Sequence, residues 1–346
     1  MNLFSKLLTT IALASLAACG GGGGGTTAAT VTAPVAPVVV TVPAGSNIVV
    51  TAPTPTYPAV SEELQALTLL NGERSRCGFG VLAQNTQVDN AARAHADYKI
   101  RNNLNSHLED KAAFPVGFTG VYPEDRVAFQ GYMGAGTTAD EAVRIGGIST
   151  KTGRGIADTR ALLSAPYHMS ALLSGFRDVG VAVRSDADTG AASPAVITQF
   201  NLTSKTADGM QLLSGTEVNT YPCEGSSGVN RQLRNESPNP VANRNLSVNP
   251  LGSSVYIQVR DGQTLVISNA TMTKVSTGAA VTVRPAVGGA NDPYAPCVSG
   301  CYKSHQAYIA ADAPLDANTA YRVTVDGTNN GAAFAKAFTF VTGTGG

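Results

Sequence analysis

Apolar residues recur at helical spacing soon after residue 57. Val60, Leu64, Leu67 and Leu70 or Asn71 fall on one face. Ser61 stands ahead of them as a cap, and Glu62 and Glu63 occupy the first turn, where carboxylates suit the positive end of a helix. Gly78 and Gly80 are expected to end this helix. A second helix is predicted from Thr86 to about Asn103, with Val88, Ala91, Ala92, His95 and Ala96 as its apolar stripe. His95 therefore lies on the buried face, where a hydrogen-bonded core histidine is the expectation rather than a ligand. The pattern then breaks into "FPVGFTGVYPEDRVAFQGY", a long structured loop with a short helix around Glu124 to Phe129. Asp158 is read as the cap of a helix through "TRALLS", and Pro166 suits the first turn of the next, "PYHMSALLS". "DVGVAVRS" and "AVITQFNLT" are apolar, β-branched strands joined by the hairpin-type loop "DADTGAASP".

From about Asn230 the pattern changes to short β-rich runs separated by turns. "SSVYIQV", "QTLVISNATMTK", "AAVTVRPA", "QAYIAA", "TAYRVTVDG" and "KAFTFVTG" follow one another. Tyr321, Val323 and Val325 alternate with Arg322 and Thr324, the period of a strand with one buried face. The first region mixes helices and strands without a regular β-α-β alternation, so its class is α+β. The second has the pattern of an antiparallel sandwich.

The N-terminal stretch belongs to neither. Lys6 is followed by the uncharged run "LLTTIALASLAA", Leu7 to Ala18, and then by Cys19. A charged start, an apolar core too short to span a bilayer and small residues at a cut site make an export signal. "LAAC" resembles the lipobox of bacterial lipoproteins. The resemblance implies cleavage before Cys19, lipid on that cysteine and anchorage to a membrane of the cell envelope. Gly20 is no retention signal of the aspartate type, which favours the outer membrane or cell surface. Six glycines, Gly20 to Gly25, and a Pro-spaced run to Tyr57 form a tether. The expected plan is a signal peptide over 1–18, a tether over 19–57, a first domain over 58–228, a linker over 229–240 and a second domain over 241–346.

Lysine plus arginine count 24 and aspartate plus glutamate 24, there is no tryptophan, and no basic tract occurs. Nucleic-acid binding has no support in that composition. Apart from Cys19, the cysteines are Cys77, Cys223, Cys297 and Cys301, an even number that fits an oxidising compartment. Of the three possible pairings, Cys77 with Cys223 and Cys297 with Cys301 are expected: one long staple and one local one. Cys297, Cys301 and His305 also read as C-x3-C-x3-H, a zinc spacing without a visible fourth ligand. No G-x-S-x-G elbow and no H-E-x-x-H is present, and "GFGVLA" follows a helix rather than a strand, so it lacks a dinucleotide context.

Seven pieces taken in order carry a resemblance: "LNGERSRCG", "NAARAHADY", "NNLNSHLE", "GFTGVYPEDRVAFQGY", "DEAV", "LLSAPYHMSALL" and "DVGVAV". Together, over roughly Glu63 to Asn201, the chain resembles the bacterial secreted branch of the CAP (SCP-like) superfamily. The resemblance implies a three-layer α-β-α sandwich with a cleft. His107 and His168 would be the cleft histidines, with Glu141 and then Glu109 as acidic partners. The family's Gly-Glu-Asn reads Asp140-Glu141-Ala142 here, and the second glutamate of eukaryotic members has no clear equivalent. "PLDANTAYRVTVDGTNNG…FTFVTG" resembles the last strands of bacterial Ig-like domains. The function expected is non-catalytic binding of a divalent metal such as zinc, with an extracellular or periplasmic ligand besides. The alternatives are a hydrolase using His107, His168 and Glu141, and an adhesive surface protein with a vestigial cleft.

Overall fold

Helix α1, Glu62–Arg76, begins where Ser61 Oγ accepts the Leu64 N–H at 3.2 Å. It buries Ala66, Leu67 and Leu70, and the chain leaves it through Gly78, which has a positive φ of 80°. After β1, Ala83–Gln84, the Asn85 side chain caps α2, Thr86–Arg101. All five residues of its predicted stripe are buried. Then follow α3, Pro123–Phe129; β2, Ala135–Gly146; α4, Arg154–Leu162; α5, Pro166–Leu173; β3, Asp178–Ser185; α6, Asp186–Thr189; and β4, Ala195–Lys205. The structure, a computed structural model, describes residues 42–295 and 301–346. The expected signal peptide, Cys19, the expected tether up to residue 41 and Cys297 lie outside the described residues, and with Cys297 the expected pairing to Cys301. Among the described residues, no helix is long and apolar enough to cross a membrane.

Two local readings change. Asp158 lies inside α4 and does not cap it. Its carboxylate is buried and accepts from Thr198 Oγ1 at 2.6 Å and from the Arg154 guanidinium. The start of α4 is served instead by Glu62, whose two oxygens accept the N–H groups of Gly153 and Gly155 at 2.9 and 2.7 Å. The second change is β2, twelve residues long, which hydrophobic patterning did not disclose.

β1, β3, β4 and β2 form a sheet in the order β1-β3-β4-β2, with β1 parallel to β3 and the other pairs antiparallel. The β3–β4 pairing is the expected hairpin, its loop holding α6. Val179, Val181, Phe200 and Leu202 share a core with α1, α4 and α5, while Ile197 packs with Ala96 and Ile100 of α2. Helices therefore cover both faces.

The remaining strands are β5, Asn219–Tyr221; β6, Ser227–Val229; β7, Gln232–Leu233; β8, Leu251–Gly252; β9, Ser254–Gln258; β10, Leu265–Lys274; β11, Ala280–Val281; β12, Val287–Gly288; β13, Gln306–Ala310; β14, Ala320–Asn329; and β15, Ala332–Thr342. One sheet runs β11-β10-β14-β15-β6 and another β12-β13-β9-β5, with β7 and β8 paired separately. The two larger sheets share a core that includes Val255, Ile257, Ile309, Met272, Val323, Val325, Phe338 and Phe340. Tyr321, Val323 and Val325 are buried as their alternation predicts. The described chain is a mixed α+β structure.

The two regions meet in several places. β5 and β6 come from residues before 230 yet pair with β9 and β15. Cys223, between them, is bonded to Cys77 at the end of α1, the long staple expected from the sequence. Tyr256, Tyr302 and Tyr308 belong to the same core as Met169 and Leu172 of α5. Leu233 and Glu236, within the stretch read as a linker, are buried.

Candidate metal-binding cleft

Strand β2 supplies consecutive carboxylates, and strand geometry sends them to opposite faces of the sheet. Asp140 pairs across from Asn201 and meets the side of α2; Glu141 pairs across from Phe200 and meets α5. His168 stands in the first turn of α5, just behind Pro166. His107 lies in the loop after α2. The Arg126 guanidinium of α3 donates to the His107 carbonyl at 3.0 Å and to the Val121 carbonyl at 3.1 Å, which pins that loop against β2.

His107, Glu141 and His168 each place one ligand atom within 4.8 Å of the others. His168 Nε2 is 3.6 Å from Glu141 Oε2. The other imidazole nitrogens are engaged as well. His107 Nδ1 is 3.2 Å from Asp140 Oδ1, and His168 Nδ1 is 3.2 Å from Glu236 Oε1. The cleft opens on the His107 side: that side chain is 54% exposed, against 15% for His168 and 13% for Glu141.

Glu109 does not join this cluster. Its Oε1 lies 2.9 Å from His95 Nδ1, and its Oε2 accepts the Thr119 N–H at 2.7 Å. His95, wholly buried, has its Nε2 3.4 Å from Asp140 Oδ2, and so spans Glu109 and Asp140. Arg126 Nη2 sits 3.2 Å from the same Asp140 oxygen. Gln199 Nε2 donates to it at 3.3 Å, and Lys99 Nζ donates to Gln199 Oε1 at 2.6 Å. Beneath the cleft there is thus a buried polar network centred on Asp140. His95 is the hydrogen-bonded core histidine that the helical pattern implies.

Electrostatics separates these groups. Burial pushes the His95 imidazole down to about 4, which keeps it neutral. Burial also lowers Lys99, to about 8. Burial opposes the charge on Asp140, yet the His107 hydrogen bond and the Arg126 guanidinium hold this carboxyl well below the usual range. The same hydrogen bond raises His107. In the cleft, burial lifts Glu141 to about 7. Burial opposes protonation of His168, but Glu141 and Glu236 outweigh it and raise the imidazole to about 9.

Two imidazoles, one of them half exposed, and one carboxylate form a donor set that suits zinc or a similar divalent ion. The fit extends to the carboxylates behind both histidines, since an engaged Nδ1 leaves Nε2 to ligate. The two serines flanking His168 spend their hydroxyl protons on backbone: Ser170 on the Tyr167 carbonyl at 2.8 Å and Ser164 on the Ala161 carbonyl at 2.7 Å. His305 faces Asp261, with its Nδ1 3.1 Å from Oδ1. Asp140 and Glu236 are the site residues that sequence reasoning did not assign. Asp140 was visible only as a departure from a motif, and Glu236 gave no signal, lying 68 residues from His168.

No family model matches the chain, and no curated protein matches it. Among solved structures, it is similar to an extracellular protein containing an SCP domain from Bacillus anthracis str. Ames, at 21% identity and a TM-score of 0.31. That likeness covers 42% of this chain and 40% of the other.

Proposed function

We propose that this chain is a lipid-anchored, exported CAP-like binding protein that holds a divalent ion such as zinc between His107, Glu141 and His168. The convergence of three donors from a loop, a strand and a helix carries this reading. The order of the CAP-like motifs in the sequence supports it, and Cys19 supplies the anchor. The Ig-like strands after residue 241 and their connections brace α5, as Tyr302 does through the Pro166 carbonyl, and the exposed side of His107 faces the extracellular or periplasmic ligand. When bound, the ion supplies an open coordination position. The chain's own part is to hold two imidazoles by their outer nitrogens and to keep a carboxylate beside them.

The test is a zinc titration by calorimetry on the full chain made soluble by Cys19→Ala. The wild-type cleft takes up one equivalent, and His107→Ala or His168→Ala removes nearly all of that affinity. Equal binding by all three proteins would put the adhesive reading ahead. One observation favours hydrolysis as a second reading: Glu141, held at about 7, is matched to proton transfer at neutral pH. Turnover of ester or amide probes that is lost in Glu141→Gln would establish it.

A further inference from the structure

We infer that Glu236, from the stretch that follows the disulfide, is the positioning residue of His168 and decides which imidazole nitrogen faces the cleft. The part of this inference that concerns an ion rests on the metal reading above. Glu236 Oε1 accepts the Tyr167 N–H at 3.0 Å and stands 3.2 Å from His168 Nδ1. With Nδ1 held, Nε2 is the nitrogen turned to Glu141.

Helix α5 has no cap of its own, because Ala165 precedes it. Glu236 therefore also serves as an external cap. Capping alone is a poor reason for a carboxylate here. Its side chain is fully inaccessible, and among the described residues Oε2 has no hydrogen-bond partner. A neutral acceptor would cap the helix at lower desolvation cost. A charge beside an imidazole, by contrast, orients the ring and strengthens it as a ligand.

The surrounding contacts fix α5 from the same side. Tyr302 donates its hydroxyl to the Pro166 carbonyl at 2.8 Å, and the Tyr167 hydroxyl donates to Asp292 Oδ1 at 3.2 Å. The Tyr167 ring meets those of Tyr294, Tyr302 and Tyr308 at centroid distances of 5.6, 5.7 and 6.3 Å. The histidine and its carboxylate are thus held in a rigid frame.

The experiment compares Glu236→Gln and Glu236→Ala with wild type in the Cys19→Ala full chain. Gln keeps an acceptor for both bonds and removes the charge. Glu236→Gln is expected to lower zinc affinity by roughly 10-fold, within the range for outer partners of ligating histidines, with melting close to wild type. In the zinc-free protein, nitrogen-resolved NMR is expected to show a protected Nδ1 proton on His168 that persists in Glu236→Gln and vanishes in Glu236→Ala. A cap without a positioning role predicts unchanged zinc affinity in Glu236→Gln and the same His168 signal in Glu236→Ala; that pair of results overturns the inference. If wild type takes up no zinc, the metal reading falls and the proton signal alone decides. Loss of the signal in Glu236→Ala upholds the positioning role, and persistence overturns it. Should Glu236→Ala fail to fold, a wild-type zinc affinity in Glu236→Gln overturns the inference, and a 10-fold loss upholds it.

Discussion

Asp140 and Glu141 are adjacent on one strand yet serve opposite faces of the sheet. Asp140 anchors a buried polar network under α2, while Glu141 meets His168 of α5. His107, at the strand's edge, touches the first and shares the cleft with the second. One dipeptide therefore couples the support of the cleft to its contents.

Zinc affinity should rise with pH between about 7 and about 9. Glu141 and His168 hold protons up to about 7 and about 9, and an incoming ion must displace them. Each released proton steepens the dependence by about tenfold per pH unit. Calorimetry across this window checks the slope, and flat binding from 7 to 9 would contradict the protonation pattern.

Without metal the same two groups should work the other way. Their folded values stand above the ordinary 4.5 and 6.5, so their stabilisation is complete below those values. It is lost as pH rises through about 7 and then about 9. Thermal melts of the chelated protein should fall over that range, and excess zinc should reverse the trend.

His95 has the opposite sign. Its folded value of about 4 lies below the ordinary 6.5, so its contribution is present above 6.5 and lost as pH falls toward 4. His95→Gln should cost about 1–3 kcal/mol at neutral pH by disturbing the hydrogen bond to Glu109 and the contact with Asp140. It should also flatten the acid limb of the stability profile and leave zinc binding in place. Denaturant melts at pH 4.5 and 7 would show this.

The staple between Cys77 and Cys223 closes 146 residues. On the chain-entropy model a loop of this size stabilises by about 5 kcal/mol. Cys77→Ser with Cys223→Ser should lower the denaturation midpoint accordingly. A non-reducing peptide map of wild type should contain the linked peptides.

Cys19→Ala should move the protein from the membrane fraction to the soluble one, because the lipid is the expected anchor. Retention on membranes after the substitution would count against the lipobox reading.

Much of the helical scaffold was legible because its signals are local. Ser61 caps α1 as expected, α2 starts at Thr86, and the stripe from Val88 to Ala96 is buried. Strand β2 was hidden because the run from Ala135 to Ala142 carries no large apolar residue and its faces meet unlike surroundings: a polar network on one, α5 on the other. Its identity as a strand comes from β4 beside it. Glu109 illustrates a related limit. It lies two residues from His107, but sequence cannot show which side of the sheet a loop residue will turn to, and His95 captures it. Asp158 misled for a similar reason, since a residue type that caps helices also serves Thr198 and Arg154 across a core.

The hydroxyl of Tyr302 on the Pro166 carbonyl bears on how such a protein evolves. A gene fusion that kept the first 228 residues and exchanged the rest would deliver His168 on a helix stripped of Tyr302 and of Glu236. The halves are not interchangeable cassettes. Lineages that shuffle them would have to rebuild the frame around α5 at each new joint, or lose the cleft.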